Sequence, residues 1–140
     1  MGEPIHATLT WQSGLRFRAR PDSGFELTID SPGSQDRGGP GPMELLLAGI
    51  AGCTAMDVVA ILGKMREPLV GLAVDITGER AEQHPKRYTA ISVTYRLRGK
   101  GLARDKVERA VELSQSTYCS AIASLRPDCR VTSRIEMVDD

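Results

Sequence analysis

Cys53 lies near the middle of the apolar segment 43–59, MELLLAGIAGCTAMDVV. A cysteine in such a segment is usually a small packing residue, but a thiolate can also attack a peroxide oxygen and become a sulfenic acid, which a second thiol converts to a disulfide. Three observations favour this chemistry. Small residues flank Cys53, a second cysteine, Cys119, lies at the predicted end of another helix, and arginines are abundant in the first third of the chain.

A thiolate at Cys53 requires a nearby cation, because an apolar environment raises the pKa of a thiol by disfavouring its charged form. The helix dipole acts only within the first turn, whereas Cys53 is 11 residues beyond Pro42, where the helix is predicted to begin. An arginine is therefore the expected activating group. The arginines available in the N-terminal third are Arg16, Arg18, Arg20 and Arg37.

Two carboxylates of the same predicted helix bear on this chemistry. Glu44 precedes Cys53 by nine residues, about two and a half turns, so that on a straight helix the two side chains point to opposite faces. Glu44 can thus orient an arginine only indirectly or in a site shared between subunits, and it is otherwise a favourable charge in the first helical turn. Asp57 shares the face of Cys53 and would oppose thiolate formation, so we expect its carboxylate to be bonded elsewhere or turned away.

The remaining cysteine and the two histidines do not indicate a second site. Cys129 falls on the predicted strand 129–138, where we expect it to pack. Three scattered cysteines do not make the disulfide framework of a secreted protein, and a zinc site would have to be assembled from distant residues. A cysteine hydrolase needs a histidine base, but no motif links His6 or His84 to Cys53.

Composition limits the class of protein. The 140 residues, 41% of them hydrophobic, fit a single domain over residues 1–140. The 18 Lys+Arg balance 18 Asp+Glu without a basic tract, which argues against binding to nucleic acid or to an anionic membrane. No signal peptide is recognisable, and the apolar run 45–56 is shorter than the roughly 20 residues of a membrane span. We therefore expect a soluble, cytoplasmic protein.

Residue patterns predict an α+β fold with the order βββ-α-ββ-α-β. Alternation predicts strands at 5–11, 15–20, 24–30, 69–81, 87–98 and 129–138, of which the first two form a hairpin. A Gly/Pro-rich loop at 31–42 precedes two main helices, 42–65 and 103–118, and a short helical piece is expected at 119–125. The second main helix is amphipathic, and the face that we expect to be buried consists of Val107, Ala110, Val111, Ser114 and Tyr118. The first helix is apolar nearly all round, so we expect it to be buried at the centre of the fold, with a second subunit as part of its cover.

The segments GPGPMELLLAGIAGCTAMDVV (39–59) and STYCSAIASL (116–125) resemble the OsmC/Ohr family of osmotically inducible and organic hydroperoxide resistance proteins. The resemblance implies an intertwined α+β homodimer with redox sites at its interface. It also implies thiol-dependent reduction of organic hydroperoxides without metal, flavin or other cofactor. Cys53 would be the peroxidatic residue and Cys119 the resolving one, with a lipoyl or other small dithiol as the reductant.

One departure from the family pattern favours a general OsmC-like branch over the organic hydroperoxide branch. In the latter a catalytic glutamate directly follows a proline, whereas Met43 here separates Pro42 from Glu44, a displacement of about 100° around a helix. The family's arginine comes from the N-terminal part, where Arg16 and Arg37 are the candidates. Two other functions stay open: a non-catalytic dimer that senses redox state or binds an apolar ligand in the same pocket, and a cysteine hydrolase.

Overall fold

Strands and helices follow one another in the predicted α+β order in the computed structural model, which describes residues 2–138. The strands are β1 (Ala7–Ser13), β2 (Arg16–Pro21), β3 (Leu27–Ile29), β4 (Gly71–Arg80), β5 (Tyr88–Arg98) and β6 (Arg130–Val138). The α-helices are α1 (Pro42–Lys64), α2 (Arg104–Leu113) and α3 (Ser120–Ala123). The chain forms two compact units, an N-terminal one that ends at Leu46 and a C-terminal one that begins at Leu47.

The N-terminal unit contains an antiparallel sheet in the order β1-β2-β3. Its first two strands form the predicted hairpin, in which Gly14 adopts a φ of +51° that glycine tolerates without strain. The Gly14 carbonyl accepts a hydrogen bond from the Trp11 indole N–H at 2.9 Å. β3 is shorter than predicted because it begins at Leu27, and Phe25 lies outside it and is exposed.

A single buried carboxylate, that of Asp30, organises the Gly/Pro-rich loop between β3 and α1. Asp30 accepts hydrogen bonds from Ser31 N–H at 2.8 Å, Ser34 Oγ at 2.9 Å, Gly38 N–H at 2.9 Å and Arg16 Nε at 3.0 Å. These bonds, the one from Gly38 foremost, hold the pKa of Asp30 well below its usual range, although burial acts in the opposite direction. The loop that carries Arg37 is therefore folded around an anion.

Gly39 allows this loop to pass close to β3. A Cβ atom at Gly39 would overlap the backbone carbonyl of Thr28, so no larger residue fits without a shift of the backbone. Close by, the Asp30 N–H donates to the Pro40 carbonyl at 3.0 Å. The loop thus has a defined path into the first turn of α1.

Helix α1 has the predicted boundaries. Pro42 occupies its first position, where the missing N–H of proline has no helical partner to lose. At the other end Arg66 adopts a left-handed φ of +59°, and the N–H groups of Arg66 and Glu67 donate to the carbonyls of Gly63 at 3.1 Å and Leu62 at 3.0 Å. This is a Schellman motif, which ends the helix before Pro68.

In the single chain, helix α1 is buried on only one side. Its buried residues recur every four positions and form one stripe: Ile50, Thr54, Val58 and Leu62. On other faces Met56 is 75% exposed and Val59 is 49% exposed. The apolar character of α1 therefore exceeds what this chain covers.

The length of α1 also corrects the argument against a membrane span. The helix has 23 residues, and by length and composition alone it is long and apolar enough to cross a membrane. The central helix of a soluble protein meets the same criterion. The shortness of the run 45–56 therefore does not exclude a span.

The C-terminal unit contains the sheet β4-β5-β6. β4 and β5 are antiparallel, whereas β5 and β6 are parallel and are connected through α2 and α3, as parallel neighbours require a crossover. Alternate residues of β5 are buried, including Ile91, Val93, Tyr95 and Leu97. Helix α2 adds Val107, Ala110 and Val111 to the buried core.

The predicted helix 103–118 changes its geometry at Ser114. α2 ends at Leu113, and Ser114–Tyr118 form a π-helical turn in which the Cys119 N–H donates to the Ser114 carbonyl at 2.7 Å. Consequently Tyr118, predicted on the buried face, is 58% exposed, whereas Ser114 is fully buried, as predicted. Such turns are frequent at functional sites, and this one leads directly to Cys119.

Candidate active site

Cys53 and Cys119 lie side by side in the C-terminal unit. Cys53 is half-buried in the middle of α1, and Cys119 is buried at the junction between the π-helical turn and α3. The two thiols are close enough to share a hydrogen bond, and neither is in a disulfide. Residues that are 66 positions apart in the sequence are thus neighbours, and an oxidised Cys53 would have a second thiol beside it.

The surroundings of Cys119 keep its thiol protonated. Burial, with a smaller contribution from the neighbouring Cys53, raises the pKa of Cys119 to about 11. The Ile122 N–H, which donates to the Cys119 sulfur at 3.5 Å, acts in the opposite direction and is outweighed. Because a neutral thiol is a poor nucleophile toward peroxide, the first attack is better suited to Cys53.

A chain of polar side chains lies beside the cysteines. Thr54, the residue after Cys53, is fully buried, and its hydroxyl is 2.7 Å from Tyr95 Oη and 2.7 Å from Ser114 Oγ. Gln115 Nε2 donates to Tyr95 Oη at 3.0 Å. Burial raises the pKa of Tyr95, so its phenol keeps the proton that it donates.

Asp57 closes this chain. Its carboxylate accepts a hydrogen bond from Ser114 Oγ at 2.9 Å. The expectation that Asp57 is bonded elsewhere is therefore confirmed. Sequence reasoning missed Thr54 and Tyr95 and assigned Ser114 only to a buried face, although a polar residue on a buried helical stripe is itself a signal that a hydrogen-bond partner exists.

In the N-terminal unit, Arg37 and Glu44 form an ion pair through Nη2 and Oε1. Arg37 Nε also donates to the Gly39 carbonyl at 2.9 Å, and Glu44 Oε1 accepts the Gly41 N–H at 3.0 Å. The second bond of Glu44 is one half of a capping box, in which the third helical residue bonds back to the residue before the helix. Glu44 thus both orients an arginine and caps α1.

Arg16, the other candidate arginine, is hydrogen-bonded to the loop around Asp30. Its Nε bonds the buried Asp30 carboxylate at 3.0 Å, and its Nη2 donates to the Asp36 carbonyl. Both bonds hold the loop around Asp30 together. Of the two candidate arginines, Arg37 is the one that contacts the candidate carboxylate, Glu44.

The remaining candidates each have surroundings of their own. Cys129 is not on a strand as predicted, because β6 begins at Arg130 and the Cys129 N–H closes a turn with the Arg126 carbonyl at 3.0 Å. His6 pairs with Asp22 at an exposed position, and His84 is exposed in the connection between β4 and β5. Within residues 2–138, no three His, Cys, Asp or Glu side chains are grouped so as to hold a metal ion.

The raised pKa of Cys119 predicts the pH dependence of its alkylation. Only the thiolate reacts, so the rate at which iodoacetamide labels Cys119 should keep rising about tenfold per pH unit up to about pH 10. Peptide mass spectrometry at a series of pH values measures this rate. A rate that levels off near pH 8 to 9, as for an ordinary cysteine, would contradict the described environment.

Comparison with known proteins identifies the family. A family model described as OsmC-like protein matches residues 33–134. Protein YhfA of Escherichia coli strain K12 is 36% identical over 134 residues, which cover 96% of this chain and 98% of YhfA. Both matches include Cys53 and Cys119, and they confirm the family that the two segments indicated.

Solved structures share the fold. A hypothetical protein from Aquifex aeolicus VF5 is 30% identical and superposes with a TM-score of 0.88 over 99% of both chains. The organic hydroperoxide resistance protein OhrB of Bacillus subtilis is 18% identical, with a TM-score of 0.63 over 97% of this chain and 98% of OhrB. The second likeness concerns the fold alone. From the family match, the identity to YhfA and the shared fold together, the chain belongs to the OsmC-like family and fits its general branch.

Proposed function

We propose that the protein is a thiol-dependent peroxidase that reduces organic hydroperoxides through a Cys53 sulfenic acid and a Cys53–Cys119 disulfide. The observation that carries the proposal is the contact between the two free thiols, one half-buried and the other buried. Membership of the OsmC-like family and a fold shared with an organic hydroperoxide resistance protein also support it.

The first step is a two-electron oxidation of sulfur. The Cys53 thiolate attacks the terminal oxygen of ROOH, the O–O bond breaks, and the leaving alkoxide takes a proton to become ROH. Cys119 then attacks the sulfur of the Cys53 sulfenic acid, and an S–S bond replaces the S–O bond. The expelled hydroxide takes the proton of the Cys119 thiol and leaves as water.

A second dithiol must restore the enzyme by thiol–disulfide exchange. It gives up two electrons and two protons and becomes a disulfide, and Cys53 and Cys119 return to thiols. We propose a lipoyl or other small dithiol for this role, as the resemblance to the OsmC/Ohr family implies. We also propose a cytoplasmic location, where thiols are kept reduced.

Cysteine substitutions test the cycle. With an organic hydroperoxide and a small dithiol, Cys53→Ser should abolish peroxide consumption, and Cys119→Ser should leave a Cys53 sulfenic acid that dimedone traps. Cys129→Ser is the matched control and should turn over at the wild-type rate. Peroxide consumption and peptide mass spectrometry are the measurements.

Three outcomes would contradict the proposal. Turnover that persists in Cys53→Ser would place the chemistry elsewhere. Oxidation of wild-type Cys53 without dithiol-dependent turnover would favour the non-catalytic redox-sensing dimer. A Cys53 thiol that remains unoxidised by any hydroperoxide, together with affinity for an apolar molecule, would favour the ligand-binding alternative.

We assign the activation of Cys53 to Arg37 rather than Arg16. Arg37 is held by Glu44, whereas Arg16 is bound to the buried Asp30 carboxylate. The two arginines therefore have different partners, and this difference supports the proposal. A cation that favours the thiolate should act on the first step of the cycle alone.

Arginine variants test this assignment. Arg37→Met should slow Cys53 sulfenic acid formation at neutral pH by about tenfold or more, because the attacking thiolate loses a stabilising positive charge. Glu44→Gln should act in the same direction but less. Arg16→Met should lower thermal stability and leave the rate of sulfenic acid formation unchanged. Stopped-flow kinetics measures these effects, and an unchanged rate for Arg37→Met would refute the assignment.

We also propose that two copies associate through the exposed apolar face of α1. This face and β4 border a groove of about 550 Å³ lined by Ala51, Gly52, Ala55, Met56, Val59, Ala60, Leu72 and Val74. Small residues allow a second chain to approach closely, and covering the groove would remove the exposed Met56 and Val59 from water. We expect the apolar side chains of α1 to favour organic hydroperoxides over hydrogen peroxide.

The association has a direct test. The wild-type protein should sediment with about twice the 15.2 kDa of one chain. Met56→Glu should shift it toward the monomer, because a charge would be buried in the apolar contact. Lys64→Glu, on the same helix but outside the groove, is the control. A wild-type monomer at micromolar concentration would contradict this part of the proposal.

A further inference from the structure

We propose that Ser114 is a positioning residue for Cys119: bonded to Thr54 and Asp57 of α1, it holds the second thiol against Cys53 for disulfide formation. This inference rests on the proposed function, since it concerns the second step of that cycle. It assigns a role to a buried hydroxyl that takes no part in either bond-making step.

Both the side-chain hydroxyl and the backbone carbonyl of Ser114 are hydrogen-bonded. Its hydroxyl oxygen is 2.7 Å from Thr54 Oγ1 and 2.9 Å from Asp57 Oδ2, and both partners lie on the turn of α1 that begins at Cys53. Its carbonyl accepts the Cys119 N–H at 2.7 Å. A single residue thus connects the helix that carries Cys53 to the backbone of Cys119.

The donors and acceptors fix one direction along this chain. The Asp57 carboxylate accepts, so Ser114 must donate its hydroxyl hydrogen to it. Ser114 Oγ can then accept from Thr54, Thr54 Oγ1 from Tyr95, and Tyr95 Oη from Gln115. Every hydroxyl in the chain donates once and accepts once. Such a satisfied buried chain has few alternative arrangements.

This rigidity matters at the junction where Cys119 lies. Ser114–Tyr118 form a π-helical turn, and Cys119 itself has an extended backbone before α3. The side-chain bridge from Ser114 restrains this segment in addition to the backbone bond. For the S–S bond to form, the Cys119 sulfur must replace the hydroxyl of the Cys53 sulfenic acid from one defined side. A small misplacement of such a reacting atom costs a large factor in rate.

Removal of the Ser114 hydroxyl tests the bridge. Ser114→Ala should slow the conversion of Cys53 sulfenic acid to disulfide by about tenfold, and should change sulfenic acid formation by less than about twofold. Quenched-flow trapping with dimedone, followed by mass spectrometry, resolves the two steps. Ser116→Ala is the matched control, because the exposed Ser116 lies on the same turn and its hydroxyl bonds the Glu112 carbonyl.

Thr54→Val is a second variant that keeps the shape of the side chain and removes one of the two bonds to Ser114. It should also slow disulfide formation, and it replaces Ser114→Ala in the test if that variant does not fold. Disulfide formation as fast in both variants as in Ser116→Ala would overturn the inference. An equal slowing of both steps would also overturn it, since that result indicates general destabilisation.

Diamide separates this inference from the proposed function. This oxidant adds to one thiol, and the second thiol displaces a hydrazine to form the disulfide, so no peroxide is involved. If hydroperoxides fail to oxidise wild-type Cys53, the proposed peroxidase fails. A slower diamide-driven Cys53–Cys119 closure in Ser114→Ala than in Ser116→Ala would still support the positioning role, and equal rates would refute it.

Discussion

The buried hydrogen bond between Thr54 and Ser114 is the constraint on which the cysteine pair depends. Neither hydroxyl has access to water, so each must find a partner in the protein. Leaving one of them unpaired would cost about 1–3 kcal/mol, a large part of the stability of a small protein. Because Thr54 follows Cys53 and Ser114 bonds Cys119, satisfying these hydroxyls also brings the two thiols together.

Each compact unit contains a carboxylate whose hydrogen bonds hold nearby segments in place. In the N-terminal unit Asp30 accepts from a serine hydroxyl, two backbone N–H groups and Arg16, and so fixes the loop that holds Arg37. In the C-terminal unit Asp57 ends the hydroxyl chain and so fixes the side of α1 that carries Cys53. An acidic residue close to a reactive thiol is unfavourable for thiolate formation. The bond from Ser114 gives Asp57 a structural partner instead.

Local sequence patterns predicted the parts of the site that depend on neighbouring residues. Pro42 and the spacing of apolar residues predicted the bounds of α1. They also placed Cys53 in the middle of the helix, too far from its N-terminus to be stabilised by the helix dipole. The Thr54 partners were not predictable in the same way, since they lie 41 and 60 positions away in the chain. A helical period of 3.6 residues likewise predicts that the helix continues through Tyr118. This period carries no information about the π-helical bond from the Cys119 N–H to the Ser114 carbonyl, which spans five residues. The cover of α1 is a related case, because apolar composition shows that a face needs cover but not which chain supplies it.

We expect an organic hydroperoxide to convert Cys53 and Cys119, and not Cys129, into one disulfide. Thiol titration of the wild-type protein after one equivalent of an alkyl hydroperoxide, with peptide mapping of the product, measures this conversion. The three free thiols per chain should fall to one, at Cys129, with the Cys53 and Cys119 peptides joined by the disulfide. Three remaining thiols, or a disulfide that includes Cys129, would show that Cys53 and Cys119 are not the reacting pair.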